Sequence, residues 1–383
     1  MLEAREFRGT GVNPVVVRAQ DELSEAIHLM RSLLHDIAHI EFWVEDARVV
    51  AECYQRVFGF DAIAEAGPET GLAGHRSIVL AQGDATFVVT SSVDGSGPVA
   101  EFTRQHGDGV RDVAFAVDDA TQAFNEAVAL GATPVEASAV AGLTKAGRTI
   151  RGFGDVVHSF VESRSLPDFF RPLSATSRAT SDVGIRSLDH VAVCLPTGEL
   201  DTVAEFYKRV LGFEDGHAEY VETELSGMNA RVVQRGPIRF PLQEPLAQNP
   251  TGPIAEFLTL NRGAGVYHLG LLTDDICRTL HGLRGKVKAL DVPDTYYEQL
   301  PNRVAALDVP MADLREFKVL VDPGPGGILL QTFTRSLHPR QTFFIEIIQR
   351  KGAVTGFGSG NIRALFDAVE ADRIALAANT ARG

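Results

Sequence analysis

LDHVAVCLPTGELDTVAEFYKRVLGFE, residues 188–214, reads as a strand, a polar turn, an amphipathic helix and a glycine stop. IAHIEFWVEDARVVAECYQRVFGFD, residues 37–61, has the same plan. Both helices end in a Tyr–x–Arg–Val pattern followed by Gly-Phe, with Gly59 and Gly212 where a helix terminator is expected. A second pair, HGDGVRDVAFAVDD (106–119) and NRGAGVYHLGLLTDD (261–275), runs from a glycine-rich turn into a strand and then a helix. Aligned, His39 falls on His190 and Asp112 on His268, at offsets differing by a few residues. A near-constant offset across two separated motifs marks a duplication.

Within each half the order is strand, helix, then several strands, repeated, with 188–245 and 262–349 as the two modules of the second half. Short connections keep such modules adjacent, and their strands pair into a sheet that curls around a pocket. The expected fold class is therefore α+β, with paired βαβββ modules forming an open barrel in each half. We expect an N-terminal extension over 1–36 with an amphipathic helix at 21–34, a first domain at 37–165, a linker at 166–184 and a second domain at 185–383. The stretch from 162 to 184 is rich in Ser, Thr and Pro and aperiodic, which suits a linker. NIRALFDAVEADRIAL (361–376) reads as a C-terminal helix lying over the second pocket, with Ile362, Leu365, Phe366 and Val369 as its apolar face.

Composition narrows the function. The chain has 383 residues, 45% apolar and 22% charged, as expected of a folded two-domain protein. A net charge of −14 argues against nucleic acid or an anionic membrane as partner. No apolar run reaches the roughly 18 residues of a membrane span, and MLEAREFRGTG lacks the order of a secretion signal. Three widely spaced cysteines, Cys53, Cys194 and Cys277, read as reduced and structural, which suits a cytoplasmic protein.

One residue stands out in HPRQTFFIEIIQR (338–350). Glu346 lies mid-strand between Phe343-Phe344-Ile345 and Ile347-Ile348, where an unpaired carboxylate would cost several kcal/mol or more. Arg350 offers an ordinary ion pair. The other candidates are His190 and His268, each in the first strand of a module, with His268 midway in sequence between His190 and Glu346. Strand alternation sets Ala192 and Cys194 on the face of His190, and Phe344 and Ile348 on that of Glu346. Two histidines and a carboxylate pointing into a small barrel form a facial triad with open positions, the set that suits non-haem Fe(II). The matching positions of the first half are His39, Asp112 and an apolar residue near Phe160, so that half reads as a degenerate, structural copy, with His39 and Glu41 in core or surface roles.

Over residues 37–375 the chain resembles the 4-hydroxyphenylpyruvate dioxygenase family, and more closely its hydroxymandelate synthase branch. LDHVAVC (188–194), GAGVYHLGL (263–271), GGILLQTF (326–333), FFIEIIQR (343–350) and GFGSGNIRALFDAVE (356–370) carry the family resemblance. GHRSIVL (74–80), GFGDVVHSF (152–160) and HPRQT (338–342) carry that to the branch. It implies a two-domain vicinal-oxygen-chelate fold, Fe(II) held by His190, His268 and Glu346 in the second half, a small 2-oxo acid and O₂ as partners, and a homodimer. No catalytic residue beyond the metal ligands is implied. In the family the substrate's own 2-oxo acid chelates iron, CO₂ leaves, and the same molecule is hydroxylated, on the ring by dioxygenases and on the benzylic carbon by synthases. Gln331, Phe333, Phe344 and Phe357 match substrate-lining positions.

The departures bear on the substrate. Ala230 stands where the family has serine, Gln243 where it has asparagine, and Pro253 and Tyr267 where it has glutamine. Ile362 replaces the phenylalanine of ring-hydroxylating members, as in the synthase branch. Losing these hydrogen-bonding groups implies a pocket that does not read a phenol in the usual way. The leading expectation is side-chain hydroxylation of an arylpyruvate or another apolar 2-oxo acid. Homogentisate formation from 4-hydroxyphenylpyruvate is the alternative, and a non-catalytic binding protein of the same fold the third.

Overall fold

The computed structural model describes residues 14–136, 148–162, 166–173, 182–222, 227–304, 307–358 and 360–362. In chain order the first half comprises α1 (Pro14–Leu33), β1 (Leu34–Trp43), α2 (Ala47–Phe58), β2 (Asp61–Ala66), β3 (His75–Gln82), β4 (Ala85–Ser92), α3 (Gly97–His106), β5 (Gly109–Val117), α4 (Ala120–Ala129), β6 (Thr149–Arg151), β7 (Val157–Val161) and β8 (Arg171–Pro172). The second half follows with β9 (Ile185–Cys194), α5 (Leu200–Leu211), β10 (Glu214–Glu222), β11 (Gly227–Arg235), β12 (Ile238–Pro245), α6 (Pro253–Asn261) and β13 (Gly265–Thr273). It ends with α7 (Ile276–Leu283), α8 (Asp294–Arg303), α9 (Met311–Glu316), β14 (Leu320–Gly324), β15 (Gly327–Phe333) and β16 (Phe344–Gly352).

The strands form two eight-stranded sheets, ordered β6-β7-β5-β1-β4-β3-β2-β8 and β14-β15-β16-β13-β9-β12-β11-β10. Seven successive strands correspond one to one, from β6 on β15 to β2 on β10, so the duplication is written in the topology. Register repeats it. His39 lies opposite Ala114 and Glu41 opposite Asp112, as His190 lies opposite Gly270 and Ala192 opposite His268. Gly59 and Gly212 end α2 and α5 in the left-handed conformation, at φ 77° and 69°.

The repeated tyrosine joins the halves. Tyr54, on α2, pairs through its hydroxyl with His338 Nε2 of the second half at 3.2 Å. Tyr207, at the matching place on α5, pairs with His158 Nε2 of the first half at 2.9 Å. Both tyrosines are buried, and a buried hydroxyl without a partner is costly. The histidines of HPRQT and GFGDVVHSF supply those partners.

Two expectations change. The N-terminal helix is longer than 21–34, running Pro14–Leu33 and docking on the second half through Arg31 Nε, which donates to Gly212 O at 3.0 Å. The stretch 166–184 is not wholly a linker: Arg171–Pro172 pairs with β2, and Phe170 packs against Ala64, Ala66, Val79 and Val88, an apolar anchor outweighing the polar composition around it. Residues 360–362 begin a helical turn, and the rest of the expected C-terminal helix lies outside the described residues.

Candidate metal centre

His190, Gly270 and Glu346 form one rung across three neighbouring strands, β9, β13 and β16, and His268 lies two residues from Gly270 on the central strand. Gly270 is required there. A Cβ on it would come within 2.3 Å of His190 Cε1, so only glycine lets the imidazole lie across the sheet.

The donor atoms converge. His190 Nε2 lies 3.0 Å from Glu346 Oε2 and 3.2 Å from His268 Nε2, and His268 Nε2 lies 3.3 Å from Glu346 Oε2. All three side chains are buried. Ligands about 2.1 Å from one ion and at right angles to each other sit about 3 Å apart, so this is the spacing of one triangular face of an octahedral site. Glu346 Oε1 is buried without a hydrogen-bond partner, a cost that a bound cation relieves. The donor set and its geometry fit a divalent transition metal.

Glu346 does not use Arg350. Arg350 grips Asp189 instead, Nε to Oδ2 and Nη2 to Oδ1, both at 2.8 Å, and Asp189 Oδ1 meets His190 Nδ1 at 3.0 Å. With Nδ1–H directed at Asp189, His190 Nε2 is the free donor. Burial disfavours charge on both partners, yet the carboxylates of Glu346 and Asp189 carry His190 up to about 9, and the imidazoles hold Glu346 down at about 2. His268 is pushed down by burial, against the pull of Glu346. Arg350 also donates to Gly356 O at 2.7 Å and lies over the Phe357 ring, whose edge meets His190 at 5.3 Å between centroids. Arg350 was singled out in the sequence only as a partner for Glu346, and Asp189 not at all; Asp–His adjacency in LDH was the available signal.

The triad lies at the base of a mostly apolar cavity. Gln331, Phe333, Phe357, Ile362, Ala230, Gln243, Pro253 and Tyr267 all line it, so every position at which the chain departs from the expected polar pattern faces one space. Phe344 is not in the lining. It packs beside it, stacked on His268 at 4.9 Å and edge-on to Tyr267 at 4.7 Å. Gln331 is fixed by Asn361 Nδ2 at 3.3 Å, and Gly358, at φ 78°, approaches Gln331 so closely that a Cβ would fall 2.2 Å from its Oε1. Sequence reading missed the wall from β10 and β11: His217, Glu219, Met228 and Val232. His217 Nε2 meets Glu219 Oε1 at 2.9 Å, and burial raises the Glu219 pKa against that contact. His217 and Glu219, two residues apart and so on one face of β10, were the signal.

Comparison with known proteins agrees with this geometry. Residues 34–167 match the family described as hydroxyphenylpyruvate dioxygenase, N-terminal, and residues 187–300 match the glyoxalase/bleomycin resistance protein/dioxygenase superfamily. 4-Hydroxyphenylpyruvate dioxygenase of Neurospora crassa is 33% identical over 375 residues, covering 88% of this chain and 90% of that protein. The chain belongs to the 4-hydroxyphenylpyruvate dioxygenase family. The Danio rerio dioxygenase is 32% identical over 357 residues, with 88% of this chain and 90% of that protein covered. A solved triple mutant of 4-hydroxymandelate synthase from Streptomyces coelicolor superposes with a TM-score of 0.80 at 39% identity, over 89% of this chain and 99% of that one. The chain is therefore a dioxygenase with the two-domain vicinal-oxygen-chelate fold, in a family of non-haem iron enzymes that act on 2-oxo acids. Among the described residues no helix is long and apolar enough to cross a membrane.

Proposed function

We propose that this dioxygenase binds Fe(II) through His190, His268 and Glu346 and hydroxylates the side chain of an arylpyruvate or another apolar 2-oxo acid. The balance is one 2-oxo acid and one O₂ giving CO₂ and a 2-hydroxy acid one carbon shorter; phenylpyruvate would give mandelate. The supporting observation is the placement of the three donor atoms at the base of a cavity whose walls carry Ala230 and Pro253 at positions that otherwise bear hydrogen-bonding side chains.

Iron, when bound, supplies the open positions at which a 2-oxo acid and O₂ meet. The protein's part is geometric. Asp189 fixes the ring of His190, and Arg350 fixes Asp189. Phe333, Phe357, Ile254 and Ile362 form an apolar enclosure that keeps water from the reacting carbon and orients a planar substrate. Gln331, held by Asn361, presents an amide to the substrate's polar end.

One observation favours a second reading, ring hydroxylation of 4-hydroxyphenylpyruvate. Gln243 and the His217–Glu219 pair leave polar groups in the wall that a phenol could use. The test is anaerobic Fe(II) loading followed by single 2-oxo acids and O₂, with products resolved by chromatography and NMR. The proposal expects a benzylic alcohol from both phenylpyruvate and its 4-hydroxy analogue. Homogentisate as the main product would replace it with the second reading.

A further inference from the structure

The first half retains more of the metal geometry than a degenerate copy requires. By register, the position equivalent to Glu346 is not an apolar residue near Phe160. Asp112 pairs with Val157 and Phe115 with Phe160, as His268 pairs with Phe344, so the counterpart of Glu346 is Ser159. Ser159 is engaged with Asp112: its backbone N–H donates to Asp112 Oδ1 at 3.1 Å and its hydroxyl to Oδ2. The first half also has a carboxylate where the second has none, since Glu41 occupies the place of Ala192.

His39, Glu41 and Asp112 lie together, their ligand atoms all within 4.8 Å of one another. Opposed donors about 2.1 Å from one ion stand about 4.2 Å apart, so small side-chain adjustments close this set around a cation. Their exposures are 5%, 0% and 1%. Glu41 Oε1 accepts from Thr90 Oγ1 at 2.7 Å and from Trp43 Nε1 at 3.3 Å, which fixes its carboxylate. His39 Nε2 is buried with no hydrogen-bond partner.

Glu41 and Asp112 are both buried here, and the Arg111 guanidinium, held over Trp43 at 4.7 Å and donating to Asp155 O, lies close to both. A surface cleft is lined by Trp43 and Arg111, near neighbours in sequence of Glu41 and Asp112.

We propose that His39, Glu41 and Asp112 form a second divalent-cation site, independent of the catalytic triad, suited by one imidazole and two carboxylates to an ion such as Mn(II), Fe(II) or Zn(II). The cation ties β1 to β5. No chemistry on substrate is assigned to it.

The test is metal stoichiometry on the full chain. Protein stripped with chelator is titrated anaerobically with Mn(II), reading free ion by electron paramagnetic resonance, and in parallel with Zn(II). Wild type should bind two equivalents of at least one ion, Glu346→Ala should retain one, and adding His39→Gln and Glu41→Gln to Glu346→Ala should remove it. Circular dichroism verifies that each variant is folded. A wild-type protein that binds one equivalent of both ions overturns the proposal, whatever the variants do. So does a residual equivalent in Glu346→Ala that survives the change of His39 and Glu41.

Discussion

Replacing Arg350 with Met should weaken the fold and the metal centre together. Arg350 makes two 2.8 Å contacts to Asp189, whose side chain is 1% exposed, while its own is 10% exposed. Removing one partner of a buried ion pair strands the other charge, at about 3–5 kcal/mol. Arg239 stays 3.6 Å from Asp189 Oδ2 and His190 stays 3.0 Å from Oδ1, so the lower end applies, about 3 kcal/mol. Loss of a group that orients a ligand histidine lowers metal affinity by roughly 10–100-fold. Phe357 loses the guanidinium over its ring and Gly356 its hydrogen bond, so the cavity wall loosens as well. Urea unfolding of metal-free protein measures the first effect, calorimetric Fe(II) or Mn(II) titration the second, and a cycle with Asp189→Asn isolates the pair. Arg350→Lys should recover part of the stability, since it keeps the charge and loses the fork. A stability change under about 1 kcal/mol with unaltered metal affinity would refute the coupling of Arg350 to His190.

Gly270→Ala should displace the His190 ring, because the new methyl would fall 2.3 Å from Cε1; metal titration should show at least a tenfold loss, and an unchanged affinity would mean the ring has another seat. His158 is buried and neutral, its pKa pulled down to about 4 by desolvation against the Val113 carbonyl. Because the unfolded chain takes up that proton near pH 6.5, the stabilising contribution is complete above that pH and lost as pH falls toward 4, by about 2 kcal/mol at pH 5. Urea unfolding of wild type and His158→Asn at pH 7 and 5 reads this, and an equal pH loss in both proteins contradicts it. With Ala230 and Pro253 in the cavity wall, losing the substrate's 4-hydroxyl should cost under about 1.5 kcal/mol in kcat/KM. A thousandfold preference for 4-hydroxyphenylpyruvate over phenylpyruvate would show that Gln243, Tyr267 or Glu219 binds the phenol.

The strand–helix repeat was legible because each copy had to bury one face of a strand and one face of a helix, and that periodicity persists after side chains diverge. His190, His268 and Glu346 were legible for a related reason: polar groups in apolar strands are expensive enough to stand out singly. What surrounds them was not. Asp189 and Arg350 lie far apart in sequence and meet only because β9 and β16 flank β13. Phe344 was assigned to the cavity by resemblance, but its ring is stacked on His268 and edge-on to Tyr267 outside the lining. The first half misled most. An apolar residue near Phe160 was expected at the place of Glu346, and pairing register, which no single segment encodes, puts Ser159 there.

The central claim, that His190, His268 and Glu346 form one metal centre serving a 2-oxo acid oxygenase, is tested most directly by simultaneous O₂ uptake and CO₂ release. Fe(II)-loaded wild type given phenylpyruvate should consume one O₂ for each CO₂ released, with mandelate formed in the same amount. Glu346→Ala, folded and given excess Fe(II), should do neither above background. Coupled turnover in Glu346→Ala, or its absence from wild type with every 2-oxo acid supplied, would contradict the account.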